Sequence, residues 1–117
     1  MIRRIYMDGR TMPEYWPPSL MGFSVGRFEG EELVIETTNH SPGILVSRGI
    51  FQYGDVSVVE RYRLVDEGRG LEGDVYITAP ETFEGTWPRQ YTWELDPGGM
   101  IFESICDPTD SRFLGQE

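Results

Sequence analysis

The fold of this chain is decided by residues 22–38, which read Gly22-Phe23-Ser24-Val25-Gly26-Arg27-Phe28, then Glu29-Gly30-Glu31, then Glu32-Leu33-Val34-Ile35-Glu36-Thr37-Thr38. The first segment alternates in period two, and the triplet that follows has the composition of a tight turn. In the third segment the glutamates lie on the face opposite to the apolar residues. This pattern predicts an antiparallel β-hairpin with one solvated face.

Further strand candidates follow along the whole chain, separated by turns about every 8–12 residues. They are residues 4–7, 44–51, 56–65, 71–78, 86–95 and 100–106. Prolines make residues 12–20 an extended loop, and a single helical turn is expected at residues 81–83. The short connections predict one all-β domain over residues 1–117, an antiparallel meander that closes into a small lipocalin-like (calycin-type) barrel. A two-sheet β-sandwich is the alternative.

Composition excludes several classes of function. The chain has 20 acidic residues against 10 basic ones, all of them arginine, and a net charge of −10. Such a charge opposes nucleic-acid backbones and anionic membrane surfaces, so neither is an expected partner. With Cys106 as the single cysteine and His40 as the single histidine, we expect no disulfide framework, no metal site and no cofactor.

The sequence also bears on localisation. No apolar run approaches the roughly 20 residues of a membrane span, and no signal peptide is evident in the chain as supplied. We therefore expect a soluble protein, either cytoplasmic or the mature part of an exported one.

Two predicted strands place a carboxylate among apolar neighbours. Glu60 shares a strand face with Val58 and Tyr62, and Glu103 lies between Ile101 and Ile105. A buried carboxylate must be paired or protonated, because burying it alone costs several kcal/mol. The two glutamates are therefore either an acid–base pair or two structural ion pairs, with Arg27 or Arg61 as partners. The structural interpretation is favoured.

Other candidate ligand-binding residues are a histidine and aromatic side chains. His40 lies in a turn-rich loop, where it is either a general base or an exposed residue without a role. Aromatic residues such as Trp93 would either fill the interior or line an apolar pocket. The candidate ligand-binding set is Arg27, His40, Glu60, Tyr62, Trp93 and Glu103. No catalytic residue is assigned.

The run from Met21 to Thr37 resembles a signature in a large group of uncharacterised small bacterial proteins, which commonly reads M-G-x-S-x-G-R-W-E-G-D-x-L-V-V-x-T. Residues 5–10 and 59–63 are also similar to segments of that group. This chain has Phe28 where the group has Trp and Glu31 where it has Asp. The resemblance implies a small β domain and implies no activity.

Three functions follow as hypotheses. The first is binding of a small, mostly apolar ligand in the interior of the barrel. The second is an isomerase, cyclase or hydrolase that uses Glu60 or His40. The third is an interaction domain with a solid core that forms a homodimer through a sheet edge. An interior void of about 300 Å³ or more would favour the first two.

Overall fold

The computed structural model describes residues 2–42, 45–47, 50–51 and 54–100 of the chain. Within these ranges the protein is all-β, with a single 3-10 turn at Asp66–Gly68. The strands are β1 (Ile5–Tyr6), β2 (Phe23–Glu29), β3 (Glu32–Thr38), β4 (Leu45–Ser47), β5 (Ile50–Phe51), β6 (Ser57–Val65), β7 (Gly70–Thr78) and β8 (Thr86–Glu94). The predicted all-β class is thereby confirmed.

Six of the strands form one mixed sheet in the order β1-β2-β3-β6-β7-β8, and β4 pairs with β5 in a separate hairpin. Strand β1 runs parallel to β2, and every other neighbouring pair is antiparallel. The described part of the sheet is open and does not close into a barrel. The predicted strand at residues 100–106 lies outside the described residues.

Two details of the predicted meander are wrong. The segment 44–51 was expected as one strand, but it contains two short strands that pair with each other, so β3 pairs with β6 instead. Strand β1 was expected to be antiparallel to its neighbour. The proline-containing connection of residues 7–22 is long enough for the chain to cross over and enter β2 in the same direction as β1.

The register divides the sheet into two faces. Directly opposed residues share a face, and one such row is Gly26, Ile35, Glu60, Val75 and Arg89. We call the face that carries this row the inner face. The adjacent row, on the other side, is Arg27, Val34, Arg61, Asp74 and Gln90. We call that side the outer face.

Arginines and carboxylates alternate across the outer face. Arg27 pairs with Glu29 at 2.9 Å and with Glu36 at 3.0 Å, and Arg61 pairs with Glu29 at 2.9 Å. Val34 lies between Arg27 and Arg61 in the register and is fully buried. This burial is consistent with packing of the aliphatic parts of the two arginine side chains over Val34. The expectation that Arg27 or Arg61 pairs with Glu60 is therefore wrong, because both lie on the opposite face.

Acid is expected to weaken this outer-face network. Hydrogen bonds from Arg61 and Arg27 lower the pKa of Glu29 from its usual 4.5. Because the folded-state pKa is the lower one, the stabilisation is complete above the unfolded value and is lost as the pH falls through the folded value. Glu29→Gln should therefore flatten the acid limb of a plot of melting temperature against pH. Glu94→Gln is the control, and an equal slope in both variants would contradict the account.

Candidate functional site

The inner face carries a buried ion pair at its centre. Glu60 is only 7% exposed, and it accepts hydrogen bonds from Arg3 Nη1 to Oε2 (2.6 Å) and from Arg3 Nη2 to Oε1 (3.3 Å). Tyr62, two residues along β6 and on the same face, donates its hydroxyl to Glu60 Oε1 at 2.6 Å. The charge of the buried carboxylate is thus compensated by a bidentate interaction with Arg3 and by a hydrogen bond from the Tyr62 hydroxyl.

The same contacts shift the ionisation of both partners. The hydrogen bond to Glu60 raises the pKa of Arg3. Burial, and then the hydrogen bond to Glu60, raises the pKa of Tyr62 to about 12. At neutral pH Tyr62 is therefore neutral and donates its hydroxyl proton to the hydrogen bond with Glu60.

Arg3 contacts Glu60 across several strands of the sheet. Arg3 precedes β1, which lies three strands away from β6 in the sheet order. At roughly 4.8 Å per strand, a flat sheet would separate the two strands by about 14 Å, more than one arginine side chain spans. The N-terminal segment therefore extends over the inner face. Sequence reasoning required a cation for Glu60 but missed Arg3, because nothing in the spacing connects residues 57 positions apart.

A glycine makes room for the aromatic side of this site. Gly73 lies opposite Tyr62, and a Cβ atom on it would lie 2.6 Å from Tyr62 Cε1 and 3.0 Å from Trp93 Cζ3. The Tyr62 and Trp93 rings lie 5.9 Å apart, and Tyr91 stacks on Trp93 at 5.7 Å. The absent side chain thus lets the tyrosine ring lie over the backbone with its hydroxyl directed at Glu60.

Gly73→Ala should displace the Tyr62 ring and weaken its hydrogen bond to Glu60. We expect the free energy of unfolding to fall by about 1–2 kcal/mol, the range for overpacking and a lost hydrogen bond to a charged group. Urea denaturation followed by tryptophan fluorescence measures this. Gly98→Ala is the matched control, since only an Asp96 side-chain atom at 4.0 Å would meet its Cβ. Equal losses in the two variants would contradict the packing described.

His40 lies within the electrostatic reach of the ion pair. Its pKa is lowered, first by burial and then by the positive charge of Arg3, while Glu60 opposes the shift. Its Nδ1 atom is buried and makes no hydrogen bond within the described part of the chain. Backbone contacts to Ser19 hold the segment in place, including a 2.7 Å hydrogen bond from Ser41 N to Ser19 O. His40 is therefore half-buried beside charged groups, whereas one of the two interpretations from sequence expected it to be exposed.

Arg3→Met should raise the pKa of His40. The substitution removes the Arg3 charge, which lowers this pKa, and keeps Glu60, which raises it. As the single histidine of the chain, His40 gives unambiguous imidazole signals in an NMR titration. Arg10→Met is the control, because Arg10 pairs with Asp8. A His40 pKa that stays constant or falls in Arg3→Met would contradict the placement of Arg3.

An open apolar groove adjoins the ion pair on the inner face. Its volume is about 370 Å³, and both partners of Glu60, Arg3 and Tyr62, line it. Its apolar lining is Phe28, Leu33, Ile35, Leu64 and Leu71. Of these, Phe28 is 69% exposed and Leu64 is 70% exposed. Soluble proteins rarely leave a large contiguous apolar surface uncovered unless it binds something.

A larger depression, of about 720 Å³, lies between the N-terminal segment and the loop that contains Trp16. Most of its lining residues belong to the segment before β1 and to the loop before β2, and only Tyr6, Phe23 and Ser24 lie in strands. The inner-face groove is smaller, but it is built on strands and borders the buried ion pair. We therefore take the groove as the candidate site.

The structure brings together only part of the predicted set. Glu60, Tyr62 and Trp93 share the inner face, and His40 lies close enough to feel the charges of the ion pair. Arg27 lies on the outer face and does not join them. Glu103 lies outside the described residues.

Comparison with protein-family models, curated proteins and solved structures found no significant match to this chain. Within residues 2–42, 45–47, 50–51 and 54–100, no group of three or more potential metal-ligating side chains is arranged to hold an ion. Over the same ranges, no helix has the length and apolar character to cross a membrane.

Proposed function

We propose that this protein binds a small, mostly apolar ligand in the groove of the inner face. The observation that carries the proposal is a groove of about 370 Å³ with five apolar residues in its lining and four polar ones, Arg3, Glu31, Tyr62 and Arg63. Apolar walls with a few placed polar groups are the general composition of small-molecule sites. Leu33 and Leu71 would contact the body of the ligand, and Tyr62 and Arg3 would limit its orientation.

The contacts of Glu60 favour a binding role over acid–base catalysis. Arg3 and Tyr62 occupy both carboxylate oxygens, so a general base would first have to lose these partners. His40 is not among the residues that line the groove. Both residues support the shape and charge balance of the site instead.

The lipocalin-like barrel is part of the same proposal. The contact between Arg3 and Glu60 supports it, because the curved sheet of a barrel would bring strands that are three places apart closer together. A barrel that encloses the groove would bury more of the ligand.

Calorimetric titration with linear alcohols tests the proposal. Decan-1-ol should bind more tightly than octan-1-ol by about 1.6 kcal/mol, roughly fifteenfold, because each buried methylene contributes about 0.8 kcal/mol. Leu71→Gln should weaken decanol binding at least about fivefold, since it places an amide in the apolar wall. Tyr76→Gln, on the same strand but on the outer face, is the matched control. No binding, or equal effects of the two variants, would contradict the proposal.

A homodimer is the second candidate, favoured by the large exposed fractions of the Phe28 and Leu64 side chains in the lining of the groove. A second copy seated there would cover both side chains. Sedimentation equilibrium should then show a dimer that Leu64→Glu converts to a monomer. A monomer in the unmodified protein at about 100 μM would reject this candidate while leaving ligand binding open.

A further inference from the structure

Two of the polar residues that line the groove meet at a single oxygen atom. Arg3 and Tyr62 belong to the lining, whereas Glu60, to which they are hydrogen-bonded, is 7% exposed and does not. Arg3 Nη2 and Tyr62 Oη both donate to Glu60 Oε1, at 3.3 and 2.6 Å. A molecule in the groove therefore meets the guanidinium and the phenol, and the carboxylate lies behind them.

The hydrogen bonds to Glu60 determine what this pair can offer to a ligand. Tyr62 gives its one hydroxyl proton to Glu60, so its oxygen acts as an acceptor toward any third group. Glu60 takes two of the five N–H groups of Arg3, so the guanidinium still has donors after the ion pair has formed. This end of the groove thus combines an acceptor with a donor.

The charges at this end of the groove balance each other. Arg3 and Glu60 carry opposite charges and are in contact at 2.6 Å. A carboxylate head would be attracted by Arg3 but repelled by Glu60, and it has no proton to give to the Tyr62 oxygen. An ammonium head would be repelled by Arg3 and has no lone pair to accept from it. A neutral head that both donates and accepts fits this pair best.

The other two charged residues of the lining lie elsewhere along the groove. Arg63 pairs with Glu72 at 2.9 Å on the outer face. Glu31 lies in the turn between β2 and β3, whereas Glu60 lies opposite Ile35 in the middle of β3. Arg3 and Tyr62 are therefore the residues that set the chemistry of the ligand head.

The apolar wall continues from Tyr62 along β6. Tyr62 lies opposite Leu33, and Leu64, two residues further and about 7 Å along the strand, lies opposite Leu71. All four of these residues line the groove. The Tyr62 hydroxyl is directed the other way along β6, toward Glu60. A ligand with its head at this hydroxyl therefore has its apolar chain against the leucines.

We propose that the ligand of the groove is an alcohol, whose hydroxyl group donates to the Tyr62 oxygen and accepts from Arg3 while its chain lies along the leucines. This inference rests on the proposed function and names its ligand class. A hydroxyl group is neutral and serves as donor and acceptor at once. A carboxylate or an ether in its place loses the bond to Tyr62.

The experiment compares decan-1-ol with its isomer 1-methoxynonane, an ether that accepts but does not donate, by calorimetry at about pH 7.5. A groove without a partner for the hydroxyl would prefer the ether, because burying an unbonded hydroxyl costs free energy. We expect the unmodified protein to bind the alcohol about fivefold more tightly, as one net hydrogen bond provides.

Tyr62→Phe should bring the ratio of the two affinities to one or below, because it removes the acceptor. Tyr76→Phe, the same change on the outer face of β7, is the matched control and should leave the ratio unchanged. In each variant the two ligands meet the same folded protein, so their ratio does not depend on the stability of the variant.

The outcomes separate the two proposals. If the ether binds as tightly as the alcohol, or if decanoate binds more tightly than decan-1-ol, the ligand class is overturned and the groove stands. A preference for the alcohol that persists in Tyr62→Phe, or that is lost in Tyr76→Phe, also overturns it. If neither decan-1-ol nor the ether binds the unmodified protein, the proposed function fails together with this inference.

Discussion

Arg3→Met is expected to lower the free energy of unfolding by about 3 kcal/mol. The change leaves the Glu60 carboxylate buried with only the Tyr62 hydroxyl as a partner, and an uncompensated buried charge costs about 3–5 kcal/mol. The lower end applies because the Arg3 side chain is 27% exposed. Urea denaturation at neutral pH measures the loss.

A triple variant separates the ion pair from the packing around it. Arg3→Met, Glu60→Leu and Tyr62→Phe together remove the cation, the anion and the hydroxyl that would otherwise lose its acceptor. Replacing a whole buried polar group by apolar residues is often neutral or stabilising, so the triple variant should lie within about 1 kcal/mol of the unmodified protein. If the triple variant is as unstable as Arg3→Met, the unpaired buried charge of Glu60 is not the cause of the lost stability.

Gly22→Ala is expected to cost about 2–3 kcal/mol. Gly22 has φ +69°, and a Cβ atom on it would lie 2.5 Å from the carbonyl oxygen of Thr38. The left-handed backbone alone costs an alanine about 1 kcal/mol, and the overlap with backbone, which cannot rotate away, costs about 1–2 kcal/mol more.

Gly30→Ala is the matched control for this substitution. Gly30 has φ +61°, and its Cβ would meet nothing within 4 Å. Gly30→Ala therefore measures only the cost of placing an alanine in a left-handed backbone conformation, which we expect to be about 1 kcal/mol of the free energy of unfolding. Equal losses at the two glycines would show that the start of β2 does not approach the end of β3 as closely as the structure indicates.

Local patterns in the sequence were sufficient to predict much of the sheet. The period-two alternation of residues 22–38 predicted the β2–β3 hairpin, and the glutamate among apolar residues in β6 predicted a buried carboxylate. Both signals lie within one or two strands. Each is visible because side chains of a strand alternate between faces.

Long-range features were not predictable in the same way. The parallel pairing of β1 depends on where a long connection returns, and the partner of Glu60 comes from the segment before β1, 57 residues away in the chain. Arg3 resembles any other arginine in the printed sequence. Only the three-dimensional structure shows that it pairs with the Glu60 carboxylate.

The central claim is that the inner-face groove binds a small apolar ligand, and the most direct test is an NMR titration of the nitrogen-15-labelled protein with decan-1-ol. Trp93 lies opposite Leu71 of the groove wall and beside Tyr62, whereas Trp16 lines the other depression. We predict that the indole signal of Trp93 shifts in a saturable way and that the signal of Trp16 does not. A saturable shift of Trp16 with Trp93 unmoved, or no saturable shift in either, would contradict the claim.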